Sequence, residues 1–153
     1  MPVERTGIFN ICTASESETE IYGRELGLKI NSSFCISLVG ALGSGKTVLA
    51  RGLCRGLGVD EEIISPTFIL YEEFRGRLPV IHVDLYRLEH ESEIEELGVF
   101  EKLRDKCVII AEWGDRSDMI LNASDIVITL RSLAETKRDI MVGYSGRARA
   151  LFR

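Results

Sequence analysis

The run Gly40-Ala41-Leu42-Gly43-Ser44-Gly45-Lys46-Thr47 sets two glycines, a lysine and a hydroxyl at the GxxxxGKT spacing that cradles phosphate. Each residue type has a physical task in that pattern. The glycines let backbone N–H groups turn inward around phosphate oxygens, where a helix N-terminus adds its positive end. Lys46 supplies a mobile positive charge for the β- and γ-phosphates, and the Thr47 hydroxyl is suited to ligate the magnesium that accompanies a triphosphate. The predicted ligand is therefore ATP with Mg2+, bound by Gly40 through Thr47 and the adjoining Val48. A glycine-rich turn with an incidental lysine is the competing reading, and the strand before and helix after the run count against it.

Transferring or hydrolysing a phosphoryl group also requires carboxylates, one at the metal and one orienting a nucleophile. Asp84 ends the apolar run Val80-Ile81-His82-Val83, and Glu112 ends Val108-Ile109-Ile110-Ala111. Either acid alone serves equally well as a turn cap. Beside a P-loop, the two together form a candidate site: Lys46, Asp84 and Glu112 as the catalytic set, and Thr47, Asp84 and Glu112 as the metal set. His82 alternates with Asp84 along one strand and shares its face, yet a lone strand histidine is more often packed than catalytic. Trp113 either closes the site or fills the core. Ser65-Pro66-Thr67 reads as a turn before a strand, with hydroxyls within reach of a γ-phosphate.

These groups meet only if strands and helices converge. Ile8 to Cys12 is expected as a first strand, and Ser15 with Glu18 has the capping-box pattern for a helix carrying Ile21, Tyr22, Leu26 and Leu28. Phe34 to Val39 is a short apolar run bounded by Gly40, which suits a buried strand. Val48, Leu49, Leu53 and Leu57 recur at helical spacing after the P-loop, with Gly58 as the stop. Phe68 to Phe74 and Val80 to Leu85 flank Arg75-Gly76-Arg77-Leu78-Pro79 as an antiparallel hairpin. Glu91 to Leu97 and Phe100 to Leu103 are expected as helical turns. Strands are expected at Cys107 to Ala111, Ile126 to Leu130, Ile140 to Tyr144 and Arg149 to Phe152. The predicted class is α/β, a P-loop NTPase-like three-layer sandwich whose mixed, mostly parallel sheet includes an antiparallel hairpin and carries helices on both faces.

Composition narrows the setting. A chain of 153 residues is large enough to bury a core as one domain, 1–153, without disulfides or structural metal. No apolar stretch reaches the length of a membrane span, and the N-terminus lacks a secretory pattern, so the expected location is cytoplasmic. The formal charge of −5 argues against independent binding to nucleic acid. The basic tail, with Arg131, Lys137, Arg138, Arg147, Arg149 and Arg153, is read first as a solvated face and second as an RNA or partner contact. Cys12, Cys35, Cys54 and Cys107 form no CxxC pair and are read as reduced thiols.

The segments LVGALGSGKTVLARGLCRGLGV, SPTFILYEEF, HVDLYRLE, EELG and IIAEWGDR span Leu38 to Arg116, about half the chain. In order and spacing they resemble the TsaE (YjeE) ATPases of bacterial tRNA threonylcarbamoyladenosine synthesis. The resemblance implies a small Mg-dependent ATPase, slow alone, that works with TsaB and TsaD and meets tRNA through that complex. TsaB and TsaD would transfer the threonylcarbamoyl group to the adenosine beside the anticodon, and hydrolysis here would sustain repeated turnover. It also implies that Glu112 orients water, that Asp84 lies at the metal, and that Thr67 belongs to a switch-like element near the γ-phosphate. Ser15 would approach the adenine side and Arg138 would reach the nucleotide from the tail. No arginine finger is evident, and a missing one is worth roughly 10³ to 10⁵ in rate.

Two other classes remain at this level. A P-loop small-molecule kinase needs an acceptor pocket and an arginine-bearing lid, for which no segment stands out. A nucleotide-gated binding switch needs the same P-loop without required hydrolysis. A GTPase is disfavoured because no NKxD motif occurs.

Overall fold

A computed structural model describes residues 2–63 and 71–153. The first strand, β1 (Arg5–Thr13), leads into α1 (Glu16–Lys29), β2 (Phe34–Val39) and α2 (Lys46–Gly56). There follow β3 (Tyr71–Arg75), β4 (Pro79–Asp84), α3 (Ser92–Leu97), α4 (Val99–Arg104) and β5 (Val108–Glu112). The chain ends with α5 (Asp118–Ala123), β6 (Ile126–Ser132), β7 (Arg138–Ser145) and a 3-10 segment, Gly146–Phe152. The expected segment Phe68 to Phe74 lies partly outside the described residues, as does Thr67 entirely.

The strands form one seven-stranded sheet in the order β1-β7-β6-β2-β5-β4-β3. Its centre, β6, β2, β5 and β4, is parallel. The flanks are not. β3 and β7 run against the centre, and β1, antiparallel to β7, runs with it, so five of the seven strands share one direction. The sheet is mixed and mostly parallel as expected, with further antiparallel pairings on the β1 side.

Parallel strands covered on both faces need apolar residues throughout, and β2 and β5 have them. Every residue of β5 is buried, as are all but the last of β2. Alternate side chains feed two cores. Ile36, Leu38, Val108 and Ile110 meet Leu26, Leu49 and Leu53 of α1 and α2. Cys35, Ile109 and Ala111 meet Ile94, Val99 and Ile120 on the opposite face, where α3, α4 and α5 lie. Helices therefore cover both faces. Burial of each large aliphatic side chain contributes about 1.5–3 kcal/mol relative to exposure.

The α1–α2 contact depends on small residues. Gly23 and Gly27 of α1 face Gly52 and Gly56 of α2; a Cβ at Gly23 would stand 2.6 Å from the Leu49 carbonyl, and one at Gly52 would strike that of Glu20. Backbone thus packs on backbone, fixing α2 and the loop that precedes it. At its far end α2 closes with Gly58 at φ +86°, where Val59 N–H donates to Cys54 O and Gly58 N–H to Arg55 O. This paired closure is why Gly58 was a legible stop.

One expected strand is absent. Arg149 to Phe152 falls within the 3-10 segment, not a strand, because β7 already has β1 and β6 on its two sides and offers no free edge. Its apolar residues are used differently: Ala148 and Leu151 are buried three residues apart, and Phe152 packs against Phe9 and Tyr144. The cysteines are free thiols; Cys35, Cys54 and Cys107 are buried and Cys12 is exposed. Burial pushes the Cys35 and Cys54 thiols up to about 12 and that of Cys107 up to about 11. Among the described residues, no helix is long and apolar enough to cross a membrane.

Candidate functional site

β2 ends at Val39 in the middle of the sheet, and the glycine-rich loop turns from it into α2. Two glycines make the turn possible. A Cβ on Gly40 would stand 2.5 Å from the Leu130 carbonyl and 2.6 Å from Ser44 Oγ, while Gly45 sits at φ +103°, a left-handed conformation that disfavours side chains. Among the described residues, no side chain caps α2 and no acid occupies its first turn. Its leading N–H groups and positive dipole end therefore suit an external anion. Ala41, Leu42 and Gly43 form the exposed rim of the loop, whereas Ser44 is buried, and Val48 is half-buried in the first turn of the helix.

Lys46 is buried at the base of the loop. Its Nζ donates to Gly40 O at 2.8 Å and Ala41 O at 2.9 Å, and lies 3.9 Å from the centroid of the Trp113 ring. Burial lowers the ammonium pKa, and Glu112, Asp84 and Asp115 oppose that shift. Trp113 holds this position with an unusual backbone, φ +59°. Non-glycine residues adopt such a conformation at a cost of order 1–3 kcal/mol.

Thr47 Oγ1 donates to Glu112 Oε1 at 2.6 Å, joining the P-loop helix to the end of β5. The other carboxylate oxygen, Oε2, lies 2.6 Å from His82 Nε2. Both His82 and Glu112 are buried, at 0% and 2% exposure. Parallel register sets Asp84 of β4 directly beside Glu112 of β5. Asp84 is less enclosed and its Oδ1 accepts the Tyr86 N–H at 2.9 Å. The structure thus brings Lys46, Thr47, Asp84 and Glu112 together at the carboxyl ends of neighbouring parallel strands, the usual ligand position in open α/β sheets. It adds His82, which the sequence reading treated as packing.

Arg138 also reaches the loop. Nε donates to Ser44 O at 2.9 Å and Nη2 to Gly43 O at 3.3 Å, with further bonds from Nη1 to Ala134, Glu135 and Lys137 carbonyls. These bonds brace the loop's backbone. Ser15 caps α1 by accepting the Glu18 N–H at 3.1 Å, while Glu18 Oε2 accepts from Ala14 N at 2.6 Å. Its hydroxyl is committed to the helix. Ser15→Ala is expected to cost about 1 kcal/mol, lowering Tm by about 2–4 °C for a domain of this size. Thermal unfolding checks this, and an unchanged Tm would mean the cap contributes nothing.

The Thr47 hydroxyl and the Asp84 and Glu112 carboxylates are hard oxygen donors, of the kind that suit Mg2+ better than soft metals. Among the described residues, no three His, Cys, Asp or Glu side chains gather as a metal cage. The glycine cradle, the uncapped helix and this donor set fit a magnesium-bound triphosphate.

Residues 13–140 match the family described as threonylcarbamoyl adenosine biosynthesis protein TsaE. The chain is 38% identical over 128 residues to the tRNA threonylcarbamoyladenosine biosynthesis protein TsaE of Treponema pallidum, covering 84% of this chain and 95% of that one. It is 46% identical over 110 residues to the protein of the same description from Nostoc, covering 69% and 68%. The crystal structure of Bacillus subtilis YdiB superposes with a TM-score of 0.78 at 24% identity, over 97% of this chain and 94% of that one, and so supports the fold. With the family match spanning most of the sequence, this chain belongs to the TsaE family.

Proposed function

We propose that this protein is the ATP-binding and ATP-hydrolysing component of threonylcarbamoyladenosine synthesis on tRNA. It would act with TsaB and TsaD, which perform the threonylcarbamoyl transfer. The observation that carries the reading is the Thr47–Glu112 hydrogen bond, which joins a P-loop hydroxyl to a buried acid beside Asp84. Membership of the TsaE family supplies the pathway.

The glycine-rich loop would bind the triphosphate through its inward N–H groups and the start of α2. Lys46 would exchange neutral loop carbonyl acceptors for charged phosphate oxygens, which hold an ammonium more strongly. Thr47 and Asp84 would hold magnesium, which would offset the negative charge of the phosphates. Glu112 would accept a hydrogen bond from the attacking water and orient it. Arg138 would keep the loop's outer carbonyls fixed during this exchange. The cationic finger would come from a partner. The protein would work in the cytoplasm and meet tRNA through the complex.

The test is magnesium-dependent ATP hydrolysis by the purified protein, with and without TsaB and TsaD. A slow basal rate, raised by the partners and absent in Lys46→Ala, is the expected result. Brisk hydrolysis by the isolated protein would contradict the missing-finger argument, and ATP binding without stimulation would favour a kinase or a pure switch.

A further inference from the structure

The chain has two histidines, His82 and His90, and of these His82 lies in the sheet, on β4. Its ring is fully buried. Strand alternation turns it to the same face as Asp84, and from there Nε2 reaches Glu112 Oε2 at 2.6 Å. Nδ1 is buried and has no hydrogen-bond partner among the described residues. A ring kept only for packing would be better replaced by an apolar residue, since an unmet buried polar atom costs stability. What distinguishes the imidazole from such a residue is the bond made by Nε2.

A carboxylate only accepts hydrogen bonds, so the hydrogen between these atoms belongs to Nε2. Glu112 therefore receives one donor at each oxygen: Thr47 at Oε1 and His82 at Oε2. The donors differ in setting. Thr47 is half-buried in the first turn of α2, at the mouth of the loop, whereas His82 is enclosed within the sheet. A hydroxyl that turns towards a ligand would release Oε1, and Oε2 would still be held from inside.

We infer that His82 is a positioning residue, fixing the plane of the Glu112 carboxylate so that Oε1 remains directed at the P-loop. The inference rests on the proposed role of Glu112 in hydrolysis. His82 touches neither nucleotide nor water in this scheme; it acts through Glu112, as outer hydrogen-bond partners orient ligands in metal sites. Its contribution should fall on turnover and leave nucleotide binding intact.

Two substitutions and one spectrum test this. His82→Leu fills the space without a donor, and His82→Gln offers an amide N–H at the distance of Nε2. For His82→Leu, kcat for ATP should fall about 10- to 100-fold, the range for loss of an outer-shell partner, with KM and the affinity for a fluorescent ADP analogue unchanged. His82→Gln should recover most of the loss. In the unsubstituted protein, nitrogen–proton correlation spectra of the two histidine rings should assign His82 the tautomer protonated at Nε2. Undiminished kcat in His82→Leu would overturn the inference. Equal losses in both variants with matching falls in Tm would also overturn it, leaving a packing role. Should His82→Leu fail to fold, His82→Gln and the spectrum still decide: a lost kcat in the former, or a hydrogen on Nδ1 in the latter, rejects positioning. Absence of hydrolysis in the unsubstituted protein with its partners would instead reject the proposed function, while the tautomer would still report on the hydrogen bond.

Discussion

Lys46→Ala is expected to weaken ATP binding by about 10- to 150-fold, the equivalent of losing one charge-assisted hydrogen bond of about 1.5–3 kcal/mol. Hydrolysis should fall to background. The argument begins with the free protein, where Lys46 is buried, donates to the Gly40 and Ala41 carbonyls and lies over Trp113. Burial opposes its charge, and an arriving triphosphate restores favourable surroundings for it. Alanine removes both the loop bonds and that gain. Titration with a fluorescent ATP analogue and a thermal melt separate the two effects: lost affinity with a retained fold supports the phosphate role. Unchanged affinity would remove Lys46 from the site.

Glu112→Gln should lower the hydrolysis rate by about 10²- to 10⁴-fold, the usual contribution of a general base or its equivalent. The substitution keeps size and lets Oε1 still accept from Thr47. It changes the other end, where the new amide N–H confronts the Nε2 of His82. Nucleotide affinity should hold because the P-loop itself is untouched. Single-turnover hydrolysis beside equilibrium binding checks both halves of the expectation. A loss of affinity with turnover preserved would place Glu112 at the metal and pass the water-orienting role to Asp84, its neighbour in register.

The P-loop was legible because its information is local: the glycines, Lys46 and Thr47 are contiguous, and the flanking runs Phe34 to Val39 and Val48 to Leu57 declare a strand and a helix. Asp84 and Glu112 were legible for a similar reason, each closing an apolar run. The bond from His82 to Glu112 was not, since it depends on the parallel register of β4 with β5, set by strands far apart in the chain. Alternation had placed His82 and Asp84 on one face, which was the available signal. The β1-β7-β6 flank was hidden likewise, as β1 pairs with a strand from the opposite end of the sequence. Gly23, Gly27, Gly52 and Gly56 carried a readable four-residue spacing, but only the crossing of α1 over α2 gives it meaning. Arg149 to Phe152 was misread because four residues cannot distinguish a strand from a tight helical segment without knowing whether an edge is free.

The unequal burial of the four cysteines has a practical side. Thiol reagents attack the thiolate, and three of the sulfurs are both enclosed and held in the thiol form by their surroundings. Cys12 alone projects to solvent, from an edge strand. The native fold therefore carries a single attachment point for a maleimide dye or spin label, at a fixed place on the β1 edge and with no engineered cysteine needed.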